Sequence, residues 1–486
     1  MTMTSALSSA LSGLQAASRQ AEVLSSNVAN ATTPGYVRRE VLLASRVVGG
    51  TGHGVDVIGI SRNIDLHLLN DRRSAQAATA GSDTRAEFLN ALEDLIGASD
   101  APGSLSDRIA SFDAALIAAT SRPESAARLS AVADAASALA GGLNAASDAI
   151  QIRRQNADAA IAAAVQTLND SLKEVERLNT AITAHSGPGN DVSALLDQRA
   201  QAIDRISTIL PVREIPREDG RVALMTTTGT LLIDGPAASF GFRRTPTIIA
   251  ETTLASGALS GLTLNGRPAA TDGAMSVLGD GELAALFDVR DQLAVSGQAG
   301  LDAFARDLVE RFSDPALDPT LATGSPGIFT DAGLASRPAF ESGLSGRIAL
   351  NAAVDPDQGG SVTRLRDGLG ATTPGPTGDA RLLNALSTRL NADIATVSTG
   401  LPSGVRNVAE LASDLISIIA TDRLSIESGQ SFAAARLTTL QDLESRESGV
   451  DVDTEMQSLL VIEKSYAANA KVLQTLDAML NTLMEI

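Results

Sequence analysis

Both ends of this chain carry a narrow apolar seam with heptad spacing, and a helix with such a seam cannot be stable alone. In residues 3–31 one row is Leu7, Leu14, Ala21 and Val28, and the second is Met3, Ala10, Ala17, Leu24 and Ala31. In residues 452–484 the row is Leu459, Ile462, Tyr466, Asn469, Leu473, Leu476, Leu480 and Leu483, spaced alternately three and four residues apart. A seam of this width fits the coiled-coil geometry rather than the broad stripe of a globular helix. Asn469 is the kind of polar seam residue that fixes register at some cost in stability. The simplest arrangement pairs the two ends with each other and with neighbouring subunits.

The interior favours helices as well. Of the 486 residues 44% are apolar, yet aromatics make up only 2%, with no Trp and two Tyr. Alanine has the best helix propensity and lets helices approach closely. Residues 37–60 read as short strands and a hairpin, and 64–98 as a helix. From 104 to 210 the chain is almost continuously helical, broken at Pro123 and at Ser186-Gly187-Pro188-Gly189. Residues 211–281 hold short β-patterned runs separated by Asp219-Gly220, Asp234-Gly235 and Asn265-Gly266, which are tight-turn signals. Helix returns over 282–313, 379–398 and 405–445, while 314–378 is rich in Pro and Gly. The expected fold is mainly α with β inserts: terminal coiled-coil helices, a long helical-bundle rod and a small outer β-rich domain. The expected domains are 1–60 with 446–486 (terminal assembly), 61–210 with 282–313 and 379–445 (helical rod), and 211–281 with 314–378 (outer β-rich).

Charge and chemistry narrow the function classes. The formal net charge is −19, and Lys173, Lys464 and Lys471 are the only lysines. An acidic chain without a basic stripe is poorly suited to nucleic acid or to anionic lipid. There is no cysteine, so disulfides, thiolate catalysis and cysteine-held metals are excluded. His53, His67 and His185 have no metal-ligand spacing, and Gly49-Gly50-Thr51-Gly52-His53-Gly54 lacks a dinucleotide or phosphate fingerprint and reads as a hairpin tip. No catalytic, cofactor-binding or metal site emerges, and the expectation is a non-enzyme with no cofactor, no nucleic-acid partner and no membrane insertion. The N-terminus lacks the pattern of a cleaved signal peptide.

Two segments carry a family resemblance. Ser26-Asn27-Val28-Ala29-Asn30-Ala31-Thr32-Thr33-Pro34-Gly35-Tyr36 resembles the N-terminal signature of flagellar rod, hook and hook-associated axial proteins. Ser448-Gly449-Val450-Asp451-Val452-Asp453, with Glu455 and then Tyr466-Ala467-Ala468-Asn469-Ala470-Lys471-Val472-Leu473, is similar to their C-terminal signature. The two tyrosines fall one in each motif. Within the family, Asn190–Arg199 and Gly281–Asp291 resemble segments of the hook–filament junction members, and the long helical rod departs from the β-rich course of hook and distal-rod proteins.

The resemblance implies a structural subunit joining the hook to the filament, exported by the flagellar type III apparatus without a cleaved signal and lying outside the cell. Its implied partners are its own copies in a helical layer, hook protein, a second junction protein and the filament, and an export chaperone at the C-terminal helix. The expected assembly residues are Leu7, Leu14, Leu24, Val28, Asn27, Asn30, Pro34, Gly35, Tyr36, Leu459, Ile462, Tyr466, Asn469, Leu473, Leu476, Leu480 and Leu483. Residues 1–35 and 455–486 are expected to be mobile in the free monomer and to fold on assembly. The alternatives are a hook or distal-rod subunit and, from a different class, a cytoplasmic coiled-coil scaffold.

Overall fold

The computed structural model describes residues 3–484 apart from 34, 49–50, 98–100, 188–189, 274 and 397, and leaves the side chains at 48, 51 and 483 undescribed. The chain opens with helix α1 (Met3–Ala29), which ends in a turn over residues 30–33. Strands β1 (Arg39–Val48) and β2 (Thr51–Arg62) then form an antiparallel ribbon whose register shifts near Leu42 and again near Ser45. Helix α2 (Leu66–Ile96) starts where the Asp65 carboxylate accepts from the backbone N–H groups of His67 (2.7 Å) and Leu68 (3.2 Å). Such a cap satisfies donors that the first helical turn leaves free. Ser104 caps α3 (Leu105–Ser121) in the same way.

Arg122-Pro123 ends α3, and α4 (Ala126–His185) then runs for 60 residues, about 90 Å at the rise of an α-helix. Helix α5 (Ser193–Ile209) returns along it. A three-stranded antiparallel sheet of β3 (Val212–Pro216), β4 (Val222–Thr226) and β5 (Leu231–Ile233) follows, then a second of β6 (Phe240–Gly241), β7 (Leu262–Leu264) and β8 (Arg267–Ala269). Helices α6 (Glu282–Asp288) and α7 (Ala294–Arg311) are joined by a π-helical turn over Val289–Leu293.

Residues 314–378 contain one small hairpin, β9 (Phe329–Asp331) with β10 (Ile348–Leu350), and the one-turn helix α8 (Arg364–Asp367) among turns. Helix α9 (Arg381–Leu390) and the hairpin β11 (Ile394–Ala395)–β12 (Val405–Arg406) lead into α10 (Val408–Ser448). Asn407 and Glu410 form a reciprocal capping box at its start. The last helix is α11 (Val452–Met484).

Helix α4 runs through two hydrophobic cores. Its first half, from Leu129 to Ala157, packs with α3, α7, α9, the C-terminal part of α2 and the start of α10. Phe112, Phe312 and Phe329 meet there with ring centroids 5.7–6.1 Å apart, so three of the ten phenylalanines anchor one point. Its second half, from Ile161 to Val175, packs with α5, α6 and strands β3–β7.

Between the cores lies a buried polar node. The Arg290 guanidinium, carried by the π-turn, donates to Asp158 Oδ1 (2.7 Å) and to Asp291 Oδ2 (2.8 Å), and it lies over the rings of Phe287 and Phe242. Burial opposes the Arg290 charge, but Asp291 and Asp158 outweigh it and hold its pKa above the ordinary value.

Three expectations differ from the structure. The segments 211–281 and 314–378 do not share a core: the first packs in the second core, whereas Leu344, Ile348, Leu350, Val354, Leu365 and Leu369 of the other belong to the first. Those apolar residues stand apart among Gly and Pro, so they carry no periodic signal, yet each finds the bundle. The helix expected over 379–398 stops at Leu390, and 394–395 is strand. The helices α1 and α11 do not meet along a single seam, as their burial below describes.

Candidate assembly site at the joined chain termini

Helices α1 and α11 lie antiparallel, since Gly13 faces Asn469 and Asn27 meets Glu455. The buried residues of α1 are Ala10, Ala16, Ala17, Val23 and Asn27. They form a face wider than the expected seam because α11 covers one part and the β1–β2 ribbon covers the next. Leu14, Leu24, Val28 and Asn30 are half-buried at its edge, and Leu7 is exposed. On α11, Leu476 is buried and Leu459, Ile462, Asn469 and Leu473 are half-buried, while Tyr466 and Leu480 are exposed at 49% and 41%. Tyr466 and Leu480 are therefore only partly covered within the chain. Leu483 is on α11, but its side chain, like the whole of Pro34, lies outside the described residues.

The two signature segments meet in a hydrogen-bonded node. Asn27, with no exposed surface, donates from Nδ2 to the Arg39 carbonyl (2.9 Å) and to Glu455 Oε2 (3.1 Å). Its Oδ1 accepts from the Tyr36 hydroxyl (2.9 Å) and from the Arg39 N–H (3.1 Å). Glu455 is buried too, and its Oε1 accepts from Arg38 Nε. Asn30 donates to the Ser26 carbonyl (2.9 Å), closing the end of α1. Gly35 takes a left-handed conformation at φ +77°, and a Cβ there would sit 3.1 Å from the Gln201 side chain. The turn at Gly35 thus sets the chain against α5 and delivers Tyr36 and Arg39 to Asn27. The Arg39 guanidinium stacks 4.6 Å from the Tyr36 ring centre.

A second ring of charges fixes this node to the bundle. Asp197 of α5 pairs with Arg39 (2.6 Å) and with Arg62 (2.7 Å). Burial pushes the Arg62 guanidinium below its usual pKa, and Asp197 opposes that shift. Arg73, fully buried on α2, pairs with Asp204 (2.7 Å) and Glu214 (2.8 Å); burial opposes its charge, but the two carboxylates outweigh it and raise its pKa. Arg72 bridges Asp204 (2.9 Å) and Glu444 of α10 (2.8 Å). Burial raises the Glu444 carboxyl above its ordinary range, against the pull of Arg72.

The motifs point to Asn27, Tyr36 and Glu455, whereas nothing in the sequence singles out Arg38, Arg39, Arg62 and Asp197. Their role depends on long-range contacts, and an arginine in a strand pattern gives no sign of the carboxylate it will find. His53, His67 and His185 fall on the ribbon, at the start of α2 and at the end of α4. Among the described residues no group of acidic or histidine side chains is placed to hold a metal ion. The node has the character of a structural clamp: the hydrogen bonds of Asn27 and Glu455 join two distant parts of the chain, while Arg39 Nε and Arg62 Nε are buried beside them without a hydrogen-bond partner.

Three family models match parts of this chain. The model of the flagellar hook-associated protein FlgK helical domain matches residues 89–324. The model of the flagella basal body rod protein matches residues 7–36, and that of the flagellar basal body rod FlgEFG protein C-terminal matches 445–486. Flagellar hook-associated protein 1 of Escherichia coli strain K12 aligns with 100% of this chain and 100% of its own length at 24% identity.

The chain is similar to the flagellar hook-associated proteins along its whole length.

Flagellar hook-associated protein 1 of Salmonella typhimurium is 29% identical over 49% of this chain and 44% of its own length. The protein of the same description from Bacillus subtilis is 28% identical over 46% of each chain. These two alignments span under half of those relatives. The solved flagellar hook junction protein FlgK of Burkholderia pseudomallei matches with a TM-score of 0.42 and 20% identity, over 54% of this chain and 47% of that one. In this chain, the segments matched by the two rod-protein models include Asn27 and Glu455, the two sides of the clamp. Among the described residues no helix is long and apolar enough to cross a membrane.

Proposed function

We propose that this protein is a structural subunit of the bacterial flagellum that forms the junction between hook and filament. The observation that carries this reading is the state of the joined termini. The clamp at Asn27 and Glu455 is satisfied within the chain, but the far end of the α1–α11 pair leaves Leu7, Leu11, Val472, Met479 and Leu480 exposed. Exposed apolar side chains gathered on one small unit mark a surface that another molecule covers. Further copies of this chain, arranged in a helical layer through heterologous contacts, are the covering partners. The terminal unit of 1–60 with 446–486 is then the assembly domain, tied to the two-core body through Asp197.

Hook protein lies on one side of this layer, and a second junction protein followed by the filament lies on the other. The subunit leaves the cell through the flagellar export channel without a cleaved signal and functions outside the cell. An export chaperone holds the α11 helix before assembly, covering the same apolar residues. The activity is mechanical, and no catalytic step is assigned.

The test is deletion followed by complementation. Loss of the protein should leave hooks without filaments and release filament protein into the medium, and the intact chain should reverse both. Filaments of normal length on the deletion strain would overturn the reading. Because the terminal segments match models of rod proteins, the hook or distal-rod role is the second reading, and it requires that hooks themselves be absent after deletion.

A further inference from the structure

One turn of α1 touches both elements that cover it. At Gly13 a Cβ would lie 2.8 Å from Asn469 Nδ2 and 3.0 Å from its Oδ1, closer than ordinary packing allows. The Asn469 amide therefore lies against bare backbone, in a gap that only glycine leaves open. One residue earlier, Ser12 Oγ accepts from the Val55 N–H of the β1–β2 ribbon (3.1 Å). Gly54 of that ribbon has φ +100°, and a Cβ on it would come within 2.9 Å of the Ser9 Cα. The turn Ser9–Gly13 is thus approached by α11 on one flank and by the ribbon on the next, each through a glycine.

We infer that Gly13 and Asn469 form a register pin, which selects one alignment of α11 along α1 out of those that the heptad seam permits, with Ser12 holding the ribbon to the same turn. The seam by itself is a poor selector. Leu459, Ile462, Leu473, Leu476 and Leu480 are similar aliphatics, so a slip of seven residues presents nearly the same surface. In a pair slipped by seven residues, Asn469 would face Ala6 or Gln20 of α1 in place of Gly13. Neither leaves the gap that Gly13 provides, and the polar amide would be pressed against a side chain. The clamp at Asn27 and Glu455 lies 14 residues from Gly13 and Asn469, so the pair is fixed at two separated points. Two points determine a line, and the far, exposed end of the pair is then presented in one geometry to its neighbours. The pin rests on the contacts within one chain; only its consequence for polymerisation rests on the junction reading.

The chain has no cysteine, so introduced pairs report register cleanly. In the purified full-length protein a short thiol crosslinker would be applied to Ala10→Cys with Leu473→Cys, the aligned pair, and to Ala17→Cys with Leu473→Cys, the pair slipped by seven. The aligned pair should crosslink at least tenfold more than the slipped one. Gly13→Leu, which closes the gap, and Asn469→Ala, which removes the amide, should each reduce that ratio to below threefold. Circular dichroism and protease resistance of the body confirm that each variant is folded. A ratio that either Gly13→Leu or Asn469→Ala leaves unchanged overturns the pin. Swimming of cells carrying the same variants is scored separately: a crosslinking pattern as expected with unaffected swimming would uphold the pin and count against the terminal pair as the junction's assembly unit.

Discussion

Asn27 shows how much one side chain can organise. It is buried and uses both donors and its acceptor on groups from β1, Tyr36 and α11. Asn27→Ala would leave the Glu455 carboxylate and the Tyr36 hydroxyl short of a partner, at a cost of about 2–3 kcal/mol. Amide exchange across the first turns of α11 should quicken by the corresponding factor, while exchange in α4 stays unchanged. Arg290 makes a similar point within the body. Arg290→Leu strands Asp158 between two cores and should lower stability by about 3 kcal/mol or more, read as a fall in melting temperature.

Asp302 adds a pH dependence. Burial raises its pKa, against hydrogen bonds from Ser345, Gly343 and Gln298. The folded state therefore binds the proton more tightly than the unfolded chain does, whose Asp titrates near pH ~3.9. The stability linked to this group is fully present below that unfolded value and is lost as pH rises through the folded value. The stability of the parent relative to Asp302→Asn should thus be greater at acid pH than at neutrality. Denaturant titrations at the two pH values check the sign.

At the scale of elements, the helices were legible because their signals are local. Pro123 and the Ser186-Gly187-Pro188-Gly189 run mark where helical sequence breaks, and long alanine-rich stretches lie between such breaks. The terminal seams were visible too, but only half of their meaning. Heptad spacing gives a face that needs a partner, and it does not say whether that partner is the same chain or the next. The structure separates the two: Leu476 is buried against α1, whereas Leu480, four residues on, is exposed. Leu476→Asp should therefore loosen α1 from α11 within the subunit, seen as faster proteolysis of both helices. Leu480→Asp should leave the subunit as it was and block its incorporation, seen as monomer accumulating in the medium. The ribbon's claim on α1 was not legible, because it depends on Gly54 fitting against Ser9 and Ser12.

Across the whole molecule, α4 is the element that joins the body, passing from one hydrophobic core to the other past the Asp158–Arg290 node. Its length was legible as an unbroken run without proline; the division into two cores was not. Residues 314–378 were opaque for a related reason. Their apolar side chains, such as Leu344 and Leu365, are spaced by turns rather than by a helical or strand period, so only the bundle that receives them reveals their role. The body ties to the termini through Asp197, which lies far from both ends in sequence. A body built this way, with clamped and pinned ends, is proposed to form a layer between hook and filament. Labelling the protein on intact flagella and imaging where the label lies would decide the matter. A single thin band at the hook–filament boundary is expected, whereas label along the length of the hook, or confined to the cytoplasm, would refute the junction role.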